Sequence, residues 1–262
     1  MQQDYTRKIS KRTMIKKILF ILYILILVCM AAASIVEKTE GTDYAHVHYY
    51  GAWWFILIWA ALAALGIFYL IQRKVKAVST WALKRSYQQF RNLLIVIFSL
   101  VGIGFIFLIY HFSHIDFSTG ERAPILNSPY FCLHVSVIMM SYVLLILTCL
   151  CGILGICWRS RQERMRDLSH LFLYPALTTM GFGIFIGAIW ANVSWGNYWG
   201  WDSKETWALI TFMIYAVVVH TQSLPVFRKP LVYHIYITLA FMSIAMTYFG
   251  VNNFLTGMHS YA

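Results

Sequence analysis

Charge is scarce in this sequence. Asp, Glu, Lys and Arg make up 12% of the 262 residues, with only 10 acidic side chains. A soluble domain of this length carries about twice that fraction, so a solvated globular domain is excluded. Cysteine is present five times, at Cys29, Cys132, Cys149, Cys151 and Cys157, but no Cys-x-x-Cys pair occurs. That excludes a thioredoxin-like redox motif and the usual cysteine zinc sites, and leaves cysteines that read as small buried hydrophobes. Low-complexity linkers and clear internal repeats are also missing, and the connections between apolar runs are too short to house a separate soluble domain. Within those runs there is no Asp, Glu, Lys or Arg. Transporters commonly carry ionisable groups or broken helices at the membrane midplane, so this absence argues against that class.

What the chain does have is apolar length. Charge-free runs occupy residues 18–36, 53–71, 93–110, 131–157, 171–190, 207–224 and 231–251. A bilayer core of ~30 Å takes about 20 helical residues to cross. Barrel strands would alternate polar and apolar residues, and these runs do not, so the expected fold is all-α: a polytopic integral membrane protein with about seven transmembrane helices.

The formal charge of +11 would suggest nucleic acid if it were spread over a surface. Instead it follows the topology. Eighteen Lys and Arg fall before the first run and in alternate connections, among them Lys16, Lys17, Arg85, Arg161 and Arg228. The other connections and the tail hold only Lys38, Arg122 and Lys204. The positive-inside rule then puts the N-terminus in the cytoplasm and the C-terminus outside. The partner of the basic charge is the lipid bilayer, through its anionic headgroups, and no nucleic acid is implied. Ala31-Ala32-Ala33-Ser34 looks like a signal-peptidase site, but the apolar run before it exceeds the about 7–15 residues of a signal core, so the first helix reads as an uncleaved anchor.

One external segment is chemically unusual. Residues 190–207 read WANVSWGNYWGWDSKETW and hold five of the ten tryptophans: Trp190, Trp195, Trp199, Trp201 and Trp207. Tryptophan collects at membrane interfaces because its ring is apolar and its N–H needs a partner. An aromatic belt accounts for two or three tryptophans near helix ends, and less well for five in one loop. If the segment is helical, Trp195 and Trp199 share a face. With Tyr198 and Trp201 they would make a flat platform for a large planar ligand, edged by Asp202, Lys204 and Glu205; Gly196 and Gly200 would permit close approach.

Nine histidines accompany it. Imidazole is a common axial ligand of haem iron. His134 opens the fourth run and His259 follows the seventh, both on the external side, on either side of the tryptophan segment in sequence. They read either as interface histidines or as a bis-histidine haem site. His220, at the inner end of the sixth run, is a snorkelling residue or a ligand of a second, inner haem; His170 and His234 also lie at inner ends. His46, His48, His111 and His114 read as surface residues.

These residues carry a resemblance. Residues 195–210, WGNYWGWDSKETWALI, are similar to the tryptophan-rich "WWD" signature of the CcsA/ResC type of cytochrome c synthesis protein, with Ser203 where that family usually has proline. The likeness extends over about residues 129–262: His134-Val135-Ser136 with Ser141-Tyr142, the His220-Thr221 pair, and the tail GVNNFLTGMHSYA. The resemblance implies that His134 and His259 are axial ligands of haem b held at the WWD segment. It makes His220 a candidate for an inner haem site. Residues 35–55 resemble the start of the ResB/CcsB partner family, which implies an N-terminal membrane region over 1–115 and a CcsA-like haem-handling domain over 116–262. The chain lacks room for that partner's large external domain.

The function so implied is cytochrome c biogenesis in a bacterial inner membrane, with haem presented outside for covalent attachment to the Cys-x-x-Cys-His segment of apocytochrome c. A ResB/CcsB-like subunit would be the membrane partner. The chain would be part of a holocytochrome c synthase of the haem–thioether lyase type, with no catalytic residue of its own. The alternatives are a haem chaperone or exporter without attachment activity, as in CcmC-type relatives, and a b-type electron-transfer subunit.

Overall fold

The computed structural model describes residues 2–72, 128–220 and 224–255, together with positions 96 and 103. All regular structure among the described residues is helical. Apart from those two positions, the run at 93–110 lies outside them, as do the expected boundary near residue 115 and His111, His114 and His259. The described residues group into two compact units, one comprising 2–72, 201–210 and 248–255, the other 128–200 and 211–247.

In the first unit, α1 (Gln2–Glu40) stops at Gly41, whose φ of 93° leaves the helical region. A short turn, Thr42–Ala45, and a π-helical turn, His46–Tyr50, lead into α2 (Trp53–Gln72), which packs on α1. Ile26, Met30, Ala33, Ser34 and Glu37 are buried, while Ile21, Val28 and Ile35 are exposed. The buried set recurs at three- and four-residue intervals, which is one helical face; the exposed side is apolar, as a lipid-facing side must be. Near the basic end of α1, the Lys16 ammonium lies 6.0 Å from the Tyr69 ring centre.

In the second unit, α3 (Pro129–Cys157) and α4 (Gln162–Trp195) are joined by the 3-10 turn Arg159–Arg161 and pack along each other; α6 (Pro230–Ala245) packs mainly on α3. Small residues set the spacing. A methyl group at Gly183 would fall 2.6 Å from Ile138 Cδ1, and one at Gly152 would fall 2.8 Å from Thr238 Oγ1. In lipid, helices associate by close packing rather than by hydrophobic exclusion, so glycine at the contact lets the backbones approach. Phe182, Phe185, Ile189 and Val193 form an exposed apolar stripe on α4.

The helix α5 (Ser203–Val219) begins in the first unit and ends in the second, where Tyr236 Oη donates to Ile214 O at 2.8 Å and the Thr211 and Thr247 hydroxyls bond at 3.0 Å. Among the described residues, four helices are long and apolar enough to cross a membrane: Thr13–Glu40, Pro129–Cys157, Arg159–Trp195 and Pro230–Phe254. A fifth crossing is supplied if Thr42–Tyr50 and Trp53–Tyr69, which meet at a 48° bend, form one span. The sequence run at 207–224 corresponds to α5, whose 17 residues extend about 26 Å before a turn at His220.

Candidate functional site

One end of the second unit is built around His134. Proline occupies the first turn of α3, where its missing N–H breaks no helical bond, and Ser128 precedes it in extended conformation. One turn later, half-buried His134 faces α4. Its Nδ1 lies 2.8 Å from the carbonyl oxygen of Gly183. A carbonyl can only accept, so Nδ1 carries the proton and Nε2 the lone pair. Metal-binding histidines are commonly oriented by such a bond from their other ring nitrogen.

Gly187 provides the space for that ring: a methyl there would sit 2.5 Å from His134 Cε1. The imidazole lies nearly parallel to Trp190, at 13° with centroids 6.2 Å apart. Trp190 is completely buried, with Phe131 5.0 Å away on one side and Trp195 at 4.9 Å edge-on. An aromatic series thus runs from Phe131 and His134 through Trp190 to Trp195.

The helical reading of the tryptophan segment does not hold beyond Trp195. Gly196 adopts a left-handed conformation, φ 79°, and donates its N–H to Asn192 O, closing α4. Glycine enters that region without a Cβ clash, so the sequence stops the helix there. Residues 196–202 are irregular, and Trp195 and Trp199 do not share a helical face. Tyr198 is exposed, and Trp195 and Trp199 are half-buried.

From Trp201 onward the segment belongs to the first unit. Trp201 itself has φ 54°, rare for a bulky residue, which requires that its surroundings hold it. Its ring stacks on Tyr50, 4.9 Å away at 6°, with Phe55 edge-on at 5.7 Å. Asp202 then caps α5: its carboxylate accepts the Lys204 N–H at 3.1 Å, while Glu205 reaches back to the Asp202 N–H at 3.3 Å. This is a capping box, two helix-terminal donors satisfied reciprocally. The Asp-x-x-Glu spacing made it legible in sequence, where these residues were read only as polar groups at a platform edge. Burial pushes the Lys204 ammonium down, and the nearby Asp202 carboxylate partly offsets that.

The other histidines differ in setting. His220 lies exposed in the turn that ends α5. His170 and His234 are buried in packed protein: His170 against Tyr233 and Tyr174, and His234 with Nε2 3.0 Å from Gln162 O and its ring filling the space beside Gly155. His46 and His48 lie in the π-helical turn, half-buried and exposed. Cys149 and Cys151 are buried, Cys29 and Cys132 partly so, and none is in a disulfide. Among the described residues, no group of three or more His, Cys, Asp and Glu is arranged to hold a metal ion.

A chain of several apolar helices that ends α4 in a tryptophan-rich turn, with a histidine of defined tautomer on α3, defines a class: a multi-helix membrane protein with an aromatic cluster at one helix end. The particular family follows from comparison. Residues 75–259 match the family described as "Cytochrome C assembly protein", and the chain belongs to that family. It is 35% identical to "Protein NrfI" of Wolinella succinogenes, over 66% of this chain and 20% of that protein. It is 33% identical to "Cytochrome c biogenesis protein CcsA" of Guillardia theta, over 53% of this chain and 56% of that protein. The protein of the same name from Chlamydomonas reinhardtii is 33% identical, over 53% of this chain and 42% of that protein. The chain thus spans between a fifth and rather more than half the length of these relatives. Residues 1–74, including those that resemble the ResB/CcsB partner, lie outside the family match.

Proposed function

We propose that this chain serves cytochrome c biogenesis by holding haem b, as substrate, at the outer membrane surface and presenting it to apocytochrome c. The observation that carries the reading is the His134 ring: Nδ1 donates to Gly183 O, so Nε2 has the lone pair a haem iron takes. In this reading His134 supplies one axial ligand and His259 the other. Trp195, Trp199, Trp201 and Tyr198 form the aromatic surroundings, and Asp202 acts by capping α5 behind them. His220 is the candidate ligand for haem on the inner side of the membrane.

The chemistry on the acceptor is an addition. Each substrate thiol S–H adds across a haem vinyl C=C: sulfur bonds to one carbon, the proton goes to the other, and no oxidant is consumed. The thiols belong to the Cys-x-x-Cys-His segment of the apocytochrome, so this chain needs no reactive cysteine. Its part is to fix the ring and exclude alternative orientations. The site faces the outside of a bacterial inner membrane crossed seven times, N-terminus inside, and a ResB/CcsB-like subunit completes the synthase.

The test is the absorption spectrum of the purified protein, reduced and oxidised, beside His134→Ala and His259→Ala, followed by attachment to a Cys-x-x-Cys-His reporter. A haem b spectrum lost or altered in both variants, with thioether product from the parent, supports the reading. Haem that binds normally but never attaches, even with the partner subunit, indicates a chaperone. A parent that stays haem-free when haem and partner are supplied refutes it.

A further inference from the structure

The N-terminal region contributes no residue to the family match, yet α1 meets the tryptophan segment through specific polar contacts. Ser203 Oγ donates to the Glu37 carboxylate at 3.2 Å, and the Trp207 indole N–H donates to Ser34 Oγ at 3.0 Å. Ser34 spends its own proton on Ala31 O at 2.8 Å, which leaves its oxygen oriented to accept. Ser34 and Glu37 are three residues apart on one helix face, and Ser203 and Trp207 are four apart on another, so the two bonds form a register between α1 and α5. Beyond them, the π-helical turn lays Tyr50 flat against Trp201.

Stability alone does not explain this arrangement. Glu37 is 3% exposed and Asp202 is equally buried. Burying a carboxyl group costs free energy, and a single serine donor offsets only part of it. What a carboxylate adds is a fixed acceptor at the N-terminus of α5, next to the capping box and to Trp201 with its positive φ.

We infer that Glu37, with Ser34, is a positioning residue for the tryptophan segment: it holds the start of α5 so that Trp201 keeps its left-handed backbone. The inference rests on the proposed haem-binding reading. It assigns Glu37 a role that does not touch substrate.

The test uses the full-length, haem-loaded protein in detergent, with Glu37→Ala, Glu37→Gln and Ser203→Ala compared with the parent, with His134→Ala, and with Ile35→Ala on the lipid-facing side of α1. Glu37→Ala and Ser203→Ala are expected to lose part of the bound haem on dilution and to shift its absorption bands, with melting temperature near that of the parent. Glu37→Gln keeps an acceptor oxygen and should recover most of the retention, while Ile35→Ala should match the parent. If Glu37→Ala fails to accumulate, Ser203→Ala, which removes only the donor, decides the matter. Haem lost in His134→Ala but unchanged in Ser203→Ala and Glu37→Ala overturns this inference alone. A haem-free parent overturns it together with the reading beneath it.

Discussion

Gly187→Ala is the smallest change that should disable the histidine pocket. The added methyl would lie 2.5 Å from His134 Cε1 and 2.6 Å from Nδ1, where ordinary contact needs about 3.4 Å or more. The imidazole must therefore move by roughly 1 Å. It has little freedom to do so, because Gly183 O holds one edge and Trp190 covers one face. Overpacking of this kind costs about 1–3 kcal/mol, and loss of the Nδ1 bond adds ~1 kcal/mol. For a chain of this size each kcal/mol lowers the melting temperature by about 2–4 °C.

The control is on the same helix. A methyl at Gly181 would meet Phe212 at 3.6 Å, an ordinary contact, and the alanine should be neutral or mildly stabilising. Both variants are followed by thermal unfolding in detergent and by the haem spectrum. Gly187→Ala should melt earlier and lose or shift the haem bands, while Gly181→Ala should do neither. A Gly187→Ala protein that melts and absorbs like the parent would refute the claim that this glycine makes room for the ring.

Other predictions follow from the same geometry. Asp202→Ala removes the cap of α5 and should destabilise the protein by about 1 kcal/mol, with a smaller loss for Asp202→Asn; denaturant midpoints measure both. Replacing His259 should alter the haem spectrum as strongly as replacing His134 if the two share one iron, whereas His220→Ala should leave that external spectral component in place. The loop after α3 is expected on the cytoplasmic side, and Cys157 is exposed at its start. An impermeant maleimide should therefore label Cys157 in inverted vesicles and not in intact cells, and the reverse pattern would overturn the topology.

The sequence by itself determined a good deal. Long apolar runs without charge can be stable only as membrane helices, because unpaired backbone groups are intolerable in lipid. The tryptophan segment and His134 stood out by composition and position; Gly196 and Asp202-x-x-Glu205 carry local signals for the end of one helix and the start of the next, which the reading of the segment as a platform passed over. Local physics of this kind acts over a few residues and is written in them.

Tertiary structure decided the rest. No spacing in the chain announces that Glu37 meets Ser203, 166 residues away, or that Gly183 O chooses the tautomer of a histidine 49 positions earlier. Those contacts depend on which helix faces come together, and in lipid that choice rests on where glycines allow close approach and where buried polar groups must find partners.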